Sequence, residues 1–170
     1  MRPTRKIQID RSWDGEPLSE HEIVSIELEM DDETLAIRVD APLHGDPAPQ
    51  AQAGRVDRLW EHEVIELFLV GTDERYIELE LGPDGHWLAL KFAGIRQLVD
   101  DQVELHYSAV HEGARWRGTA SIANTQLPSP ILQWNAFAIH GVGEARRYLA
   151  AQPAGGESPD FHRIHDFPRW

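Results

Sequence analysis

The chain has 170 residues, of which 41% are hydrophobic and 26% charged, as expected for one ordinary globular domain. Its formal net charge of -13 argues against nucleic acid and anionic membranes as partners, because phosphate groups are bound by clustered Lys and Arg. The absence of cysteine excludes disulfides and thiolate catalysis. The N-terminal stretch is charged, and no segment approaches the ~20 apolar residues of a membrane helix, so we expect a cytoplasmic protein.

The first part of the chain predicts three strands followed by a long loop. Residues 6–9 form a short strand, and residues 23–30 and 34–39 alternate between polar and apolar, which is typical of half-buried strands. The acidic residues 31–33 between the latter two predict a hairpin loop. Residues 41–54 lack periodicity and are rich in Pro, Gly, Ala, Gln and Asp, and they begin a long loop over residues 41–59. We expect this loop to form one wall of a binding site.

The stretch from Trp60 to Phe92 predicts three consecutive strands around which the chain is organised. The sequence Gly82-Pro83-Asp84-Gly85 predicts the turn between the second and third strands, since Pro presets φ and Gly allows positive φ. Pairing Leu81 with His86 across this turn places every alternating apolar residue on one face, which we expect to be core. These residues are Ile65, Leu67, Leu69, Ile77, Leu79, Leu81, Leu88, Leu90 and Phe92.

The opposite face of this stretch carries the candidate binding residues. Glu66 lies within an otherwise apolar strand, where a carboxylate is costly unless it is hydrogen-bonded or faces a wet cleft. On the same face, Trp87 offers a flat apolar surface beside hydrogen-bonding groups, the combination that small-molecule sites use. We therefore predict a groove over this face. Its predicted ligand-binding residues are Trp60, Glu66, Glu78, Trp87 and His162.

Other interpretations of the carboxylates remain open. Glu66, Glu78 and Glu80 share the predicted face, so a glycosidase-type pair of carboxylates is compatible with the pattern. Alternatively, Glu66 forms an internal ion pair with Arg147 or Arg163 that fixes the C-terminal segment. A third class of function is a protein-interaction scaffold whose acidic face contacts a partner. The sequence contains neither a nucleophile motif nor a phosphate-binding loop.

The rest of the chain continues the β pattern. Residues 102–110, 114–122 and 134–141 alternate as strands do, and residues 147–150 predict one more short strand. About ten short strands at steady spacing, without an amphipathic helix, predict a single all-β domain over residues 1–170. We expect a two-sheet antiparallel β-sandwich of the immunoglobulin or jelly-roll type.

Potential metal ligands are concentrated near the C-terminus. His162 and His165, flanked by Asp160 and Asp166, are ligand types at close spacing. No predicted helix or strand directs both rings to one point, so we expect no metal site and no cofactor. We expect the segment Phe161-His162 to form a second wall of the predicted groove.

Several aromatic and acidic motifs follow one another along most of the chain. They are WEHEVIELF at 60–68, Tyr76-x-Glu78, Gly82-Pro83-x-Gly85, WRGTASI at 116–122, Trp134-x-x-x-Ala138 and PDFH at 159–162. In this order they resemble the motifs of family-nine carbohydrate-binding modules and their DOMON-like relatives. The resemblance implies a β-sandwich that binds a carbohydrate or related small molecule without catalysis.

Overall fold

The computed structural model describes residues 3–170, and this part of the chain is all-β. It contains thirteen strands: β1 Thr4–Ile9, β2 Arg11–Ser12, β3 Val24–Met30, β4 Thr34–Pro42, β5 Gly54–Arg55, β6 Val64–Val70, β7 Tyr76–Leu81, β8 His86–Phe92, β9 Leu98–Asp100, β10 His106–Glu112, β11 Arg115–Ala123, β12 Gln133–His140 and β13 Arg147–Ala150. Its helical segments are short 3-10 turns at Glu20–Glu22, Leu59–Glu61, Thr72–Glu74, Asn124–Gln126, Gly143–Ala145 and Ile164–Asp166. Within residues 3–170, no helix is long and apolar enough to cross a membrane.

The strands form two sheets, which confirms the predicted β-sandwich. One sheet has the order β1-β3-β4-β11-β10, and the other has the order β2-β13-β12-β6-β7-β8-β5, with β9 paired to β8. All pairings are antiparallel except the short parallel contact of β5 with β8. The strands absent from the sequence prediction are β2, β5 and β9, which are only two or three residues long and too short to show alternation.

The core between the sheets, here called the inter-sheet core, consists mainly of aliphatic side chains with Trp116 and Trp134. From the central strands it receives the predicted residues Ile65, Leu67, Leu69, Ile77, Leu79 and Leu81. On β12 the predicted faces are also observed, because Ala136 and Ala138 point into this core while Phe137 points away from it.

The predicted pairing of β7 with β8 is wrong by one residue. Leu81 pairs with Trp87, and the N–H of Gly82 donates to the carbonyl of His86 at 2.9 Å, which leaves a three-residue loop. Gly85 in that loop has φ of 85°, the left-handed position that closes hairpins of this length. A shift of one residue exchanges the two faces of a strand. Trp87 therefore packs against the inter-sheet core.

The same shift places Leu88, Leu90 and Phe92 on the far side of the larger sheet, outside the shared core where the sequence prediction had put them. There they join a second apolar group, here called the outer cluster. Its buried members are Leu59, Val64, Phe68, Val70, Tyr76, Leu88, Leu90, Phe92, Phe137, Ile139, Ala150, Phe161, Ile164 and Phe167.

The C-terminal segment covers part of this far side. Phe161 stacks on Phe137 with ring centroids 3.9 Å apart, and Phe167 packs edge-on against Phe68 at 5.8 Å. The far side of the larger sheet is therefore a second packed layer rather than a solvated surface, and this layer determines where a cavity can form.

Candidate functional site

A cavity of about 440 Å³ lies over the far side of the larger sheet, beside the C-terminal segment. Its lining is mixed, with carboxylates, aromatic rings and aliphatic side chains. The lining residues are Trp60, Glu66, Glu78, Leu90, Phe92, Arg96, Leu98, Ile139, Tyr148, Pro159, Asp160, Phe161 and His162.

Three buried glutamates cluster beside this cavity, and two of them, Glu66 and Glu78, line its floor. Glu66 on β6 is directly opposite Glu80 on β7, and Glu78 lies two residues before Glu80 on the same face. Their exposed fractions are 2% for Glu66, 4% for Glu78 and 0% for Glu80. One carboxylate oxygen from each lies within 4.8 Å of the others. The sheet register therefore places three acidic groups side by side inside the apolar outer cluster.

Burial makes these groups unusually weak acids. It raises the pKa of Glu66 well above its ordinary value, and the neighbouring charge of Glu78 raises it further. Burial also raises the pKa of Glu80, with the charges of Glu66 and Glu78 adding to the effect. The pKa of Glu78 rises to about 7 because of burial, although a hydrogen bond with Glu80 and the positive charge of Arg96 favour its ionised form.

The ion pair considered for Glu66 does not form. Arg147 binds Glu22 at 2.9 Å, and Arg163 binds Asp166 at 2.8 Å. The cation that acts on Glu66 is instead Arg146, which favours its ionised form through its charge. Arg146 donates hydrogen bonds to the backbone carbonyls of Trp60 and Gly141.

One wall of the cavity is a hydrogen-bonded chain from Arg96 through Tyr76 to His162. The backbone N–H of Arg96 donates to the Tyr76 hydroxyl at 3.0 Å, and that hydroxyl lies 2.6 Å from Nδ1 of His162. Because the Tyr76 oxygen already accepts one hydrogen bond, we assign its own proton to the bond with Nδ1. The ring proton of His162 is then on Nε2, which lies 3.7 Å from Oε2 of Glu78.

His162 is held neutral in this wall. Burial, helped by the positive charge of Arg96, lowers its pKa to about 4, although Asp160 acts in the opposite direction. Burial raises the pKa of Tyr76 to about 12. At neutral pH the wall therefore presents a neutral imidazole N–H beside the carboxylates.

The rim of the cavity is apolar and partly exposed. Trp60 is 40% exposed and Leu98 is 50% exposed, which is high for large apolar side chains. Tyr148 lines the same rim, with the Arg146 guanidinium 5.9 Å from the centre of its ring. An acidic, hydrogen-bonding floor beneath an apolar, aromatic rim can bind a molecule that has both polar groups and apolar faces.

Comparison of the whole chain with other proteins identifies its family. No family model matches the sequence. The UPF0462 protein C4orf33 homolog of Mus musculus is 36% identical over 169 residues, covering 94% of this chain and 88% of the mouse protein. The chain belongs to the UPF0462 family. Its relative UPF0462 protein C4orf33 of Homo sapiens is 33% identical over 169 residues, covering 94% of this chain and 84% of the human protein.

Solved structures share the fold of this UPF0462 protein. A Bacteroides uniformis protein described as a candidate carbohydrate-binding protein aligns with a TM-score of 0.72 at 15% identity, covering 99% of this chain and 85% of that one. A family-nine carbohydrate-binding module of Caldicellulosiruptor kristjanssonii, in complex with cellotriose, aligns with a TM-score of 0.52 at 13% identity, covering 78% and 67% of the two chains. At these identities the likeness establishes a shared fold, which confirms that part of the sequence resemblance.

The structure brings four of the five predicted site residues of this UPF0462 protein together. Trp60, Glu66, Glu78 and His162 line the one cavity, whereas Trp87 faces the inter-sheet core because of the register shift. Whether the four contact a ligand stays a prediction.

Of the two segments predicted to form walls of the site, one lines the cavity and the other does not. Phe161 and His162 do lie in the wall of the cavity. No residue of 41–59 lines the cavity. The backbone N–H groups of His44 and Asp46 instead donate to the Glu63 carboxylate, and the carbonyl of Ala51 lies 2.8 Å from Nε2 of His86.

Sequence reasoning missed other parts of the site. Arg96 comes from a stretch without periodicity, so no pattern could place it beside Tyr76. The two C-terminal histidines do not converge, since His165 binds Glu74 at 2.6 Å while His162 points into the cavity. The ligand-type cluster that does form consists of Glu66, Glu78 and Glu80, whose shared face was predicted but whose burial was not.

Proposed function

We propose that this protein is a binding domain for a carbohydrate or a closely related polyhydroxylated molecule, held in the cavity beneath Trp60. The observation that carries the proposal is the combination of an exposed aromatic rim with a buried acidic floor in one cavity. A volume of about 440 Å³ falls within the range of about 300–1,000 Å³ that is typical of small-ligand sites.

Each part of the cavity matches a part of a sugar. The flat C–H faces of a sugar ring can pack on the rings of Trp60 and Tyr148 at the rim. Carboxylate oxygens of Glu66 and Glu78 accept hydrogen bonds from hydroxyl groups, and the Nε2–H of His162 donates one. The complex of a family-nine module with cellotriose supports a ligand of this class, because that module shares the fold.

The test is a panel of mono- and oligosaccharides screened by titration calorimetry against the wild-type protein. For any sugar that binds, Trp60→Ala and Glu66→Gln should each weaken binding about tenfold or more, as expected when a stacking surface or a hydrogen-bonding carboxyl group is removed. Trp170→Ala is the matched control, since Trp170 packs near Arg5 and is not part of this cavity. The proposal is wrong if no sugar binds, or if Trp60→Ala binds as well as wild type.

A second candidate function is glycoside hydrolysis, and a specific feature of the floor favours it. Glu66 and Glu78 both line the cavity, and the pKa of Glu78, raised by burial to about 7, suits a general acid. The same glycan panel separates the two functions if released reducing sugar is measured beside binding. Hydrolysis requires release by the wild type and its loss in Glu78→Gln, whereas binding without release identifies a binding domain.

A further inference from the structure

Three buried glutamates, Glu66, Glu78 and Glu80, lie side by side, and the first two line the cavity. A buried carboxylate is costly unless it is paired, protonated or bound to a metal. We propose that Glu66, Glu78 and Glu80 form a binding site for one divalent cation of the oxygen-preferring class, such as Ca²⁺ or Mn²⁺. The cation site shares Glu66 and Glu78 with the proposed carbohydrate site, but it is tested without sugar, and neither proposal requires the other.

The spacing of the three carboxylates fits a single ion. Oxygen ligands lie about 2.3–2.6 Å from Ca²⁺, so two oxygens bound to the same ion can be at most about 5 Å apart. One oxygen from each glutamate lies within 4.8 Å of the others, without any movement of the strands. Two adjacent strands hold the three side chains at fixed register positions, which preorganises the set.

The state of Glu80 is the second, independent observation. This side chain is fully buried, and no donor lies at standard hydrogen-bond geometry to either of its carboxylate oxygens. The polar groups that act on it are the Trp60 backbone N–H and the Glu78 carboxyl group, and neither is a cation. Burying a charged group without a partner is among the most expensive arrangements in a protein. One of its oxygens lies within 4.8 Å of an oxygen of Glu66 and of Glu78, so a cation between the three would provide the missing partner.

The basic side chains nearby are already engaged. Arg96 binds Asp160 at 2.8 Å, and Arg146 binds backbone carbonyls at the rim. His162 approaches Glu78 no closer than 3.7 Å and is neutral at pH 7. None of these three groups makes a short ion pair with the cluster, so its charge remains to be balanced by an ion or by protons.

The chemistry of the donor set identifies the class of cation. Three carboxylates are hard oxygen donors, and the chain has no cysteine that would favour a thiophilic metal. Glu66 and Glu78 both line the cavity, so an ion can enter from it, and water can complete the coordination on that side. A proton shared among the carboxyl groups is the competing way to balance the charge.

The experiment measures cation binding to chelator-treated wild-type protein at pH 7.5 by titration calorimetry with CaCl₂, MnCl₂ and MgCl₂. We expect one equivalent of Ca²⁺ or Mn²⁺ to bind and to raise the melting temperature, with EDTA reversing the effect. Glu66→Gln and Glu80→Gln should each weaken binding at least about tenfold. The matched control is Glu104→Gln, an exposed glutamate outside the cluster, which should bind within about twofold of wild type.

Wild-type protein that binds none of the three cations would overturn the proposal and leave protons as the balancing charge. Equal binding by Glu66→Gln and Glu80→Gln would overturn it as well, because the ion would then be elsewhere. If both variants fail to fold, paramagnetic Mn²⁺ locates the site in the wild type. It should broaden the NMR signals of the Tyr76 and His162 rings before those of Tyr107, and broadening in the reverse order rejects the site.

Discussion

The two faces of the larger sheet are packed in contrasting ways. The inter-sheet core is built mainly from aliphatic side chains, whereas the outer cluster is largely aromatic and contains buried carboxylates and a cavity. Leu67 and Phe68 show the contrast within two consecutive residues, since they are adjacent on β6 and point to opposite faces. The packing of the inter-sheet core is apolar, whereas the outer cluster contains polar groups in place of part of its apolar packing. Substitutions on the two faces should therefore affect different properties.

The largest effect is expected from Leu67→Ala in the inter-sheet core. Leu67 is 1% exposed, so its truncation removes buried apolar surface and leaves a cavity. We expect a loss of about 2–5 kcal/mol in the free energy of unfolding, measured by urea denaturation. Cation and sugar binding by the folded fraction should be unchanged. Val110→Ala, at an exposed strand position, is the control and should stay within about 0.5 kcal/mol of wild type. A similar loss in both variants would contradict the assigned core.

Phe68→Leu tests the outer cluster at the neighbouring position. The Phe68 ring makes edge-on contacts with Phe137, Phe167 and the His162 ring at centroid distances of 5.4–5.8 Å. Leucine keeps the site apolar but loses these contacts, so we expect a loss of about 1–2 kcal/mol in the free energy of unfolding.

Unlike Leu67→Ala, Phe68→Leu should also weaken ligand binding, because His162 loses a packing partner that fixes its ring in the cavity wall. The affinity of Phe68→Leu is measured by calorimetric titration with a sugar that binds the wild type. Unchanged affinity in Phe68→Leu would show that the outer cluster does not position the site.

The sequence predicted the architecture well because alternation is a local signal. Strands β6, β11 and β12 show their inward residues directly in the pattern, and burial follows it. The register of β7 with β8, in contrast, cannot be determined from alternation. It depends on whether residues 82–85 close a four-residue or a three-residue loop, and both agree with the same turn residues.

The length of this loop determines which residues of β8 face the cavity. The predicted register made Trp87 a ligand-facing residue and Leu88 a core residue, and the observed register reverses both. Glu66 and Glu78 kept their predicted face because the pairing of β6 with β7 does not depend on that turn. The contribution of Arg96 could not be predicted, since it comes from a long-range contact of an irregular segment.

The smallest effect on stability is expected from a substitution of His140, at the edge of the inter-sheet core. Its ring stacks on His44 with centroids 3.5 Å apart, and its buried Nε2 has no hydrogen-bond partner. Burial, together with the charge of His44, lowers the pKa of His140 to about 4, although Asp46 and Glu22 act in the opposite direction. The inter-sheet core thus has a titrating histidine at its edge, whereas the titrating groups at the floor of the cavity are carboxyl groups.

The sign of the pH dependence follows from that lowered pKa. Between about pH 4 and the ordinary value of 6.5, the folded protein binds fewer protons at His140 than the unfolded chain does. His140 therefore reduces stability as the pH falls through this window and has no effect above it. His140→Gln should lessen the loss of stability between pH 6.5 and pH 4.5, measured as the urea midpoint relative to wild type, while His21→Gln, at an exposed position, should not. An identical pH dependence in wild type and His140→Gln would show that the titration of His140 does not contribute to acid stability.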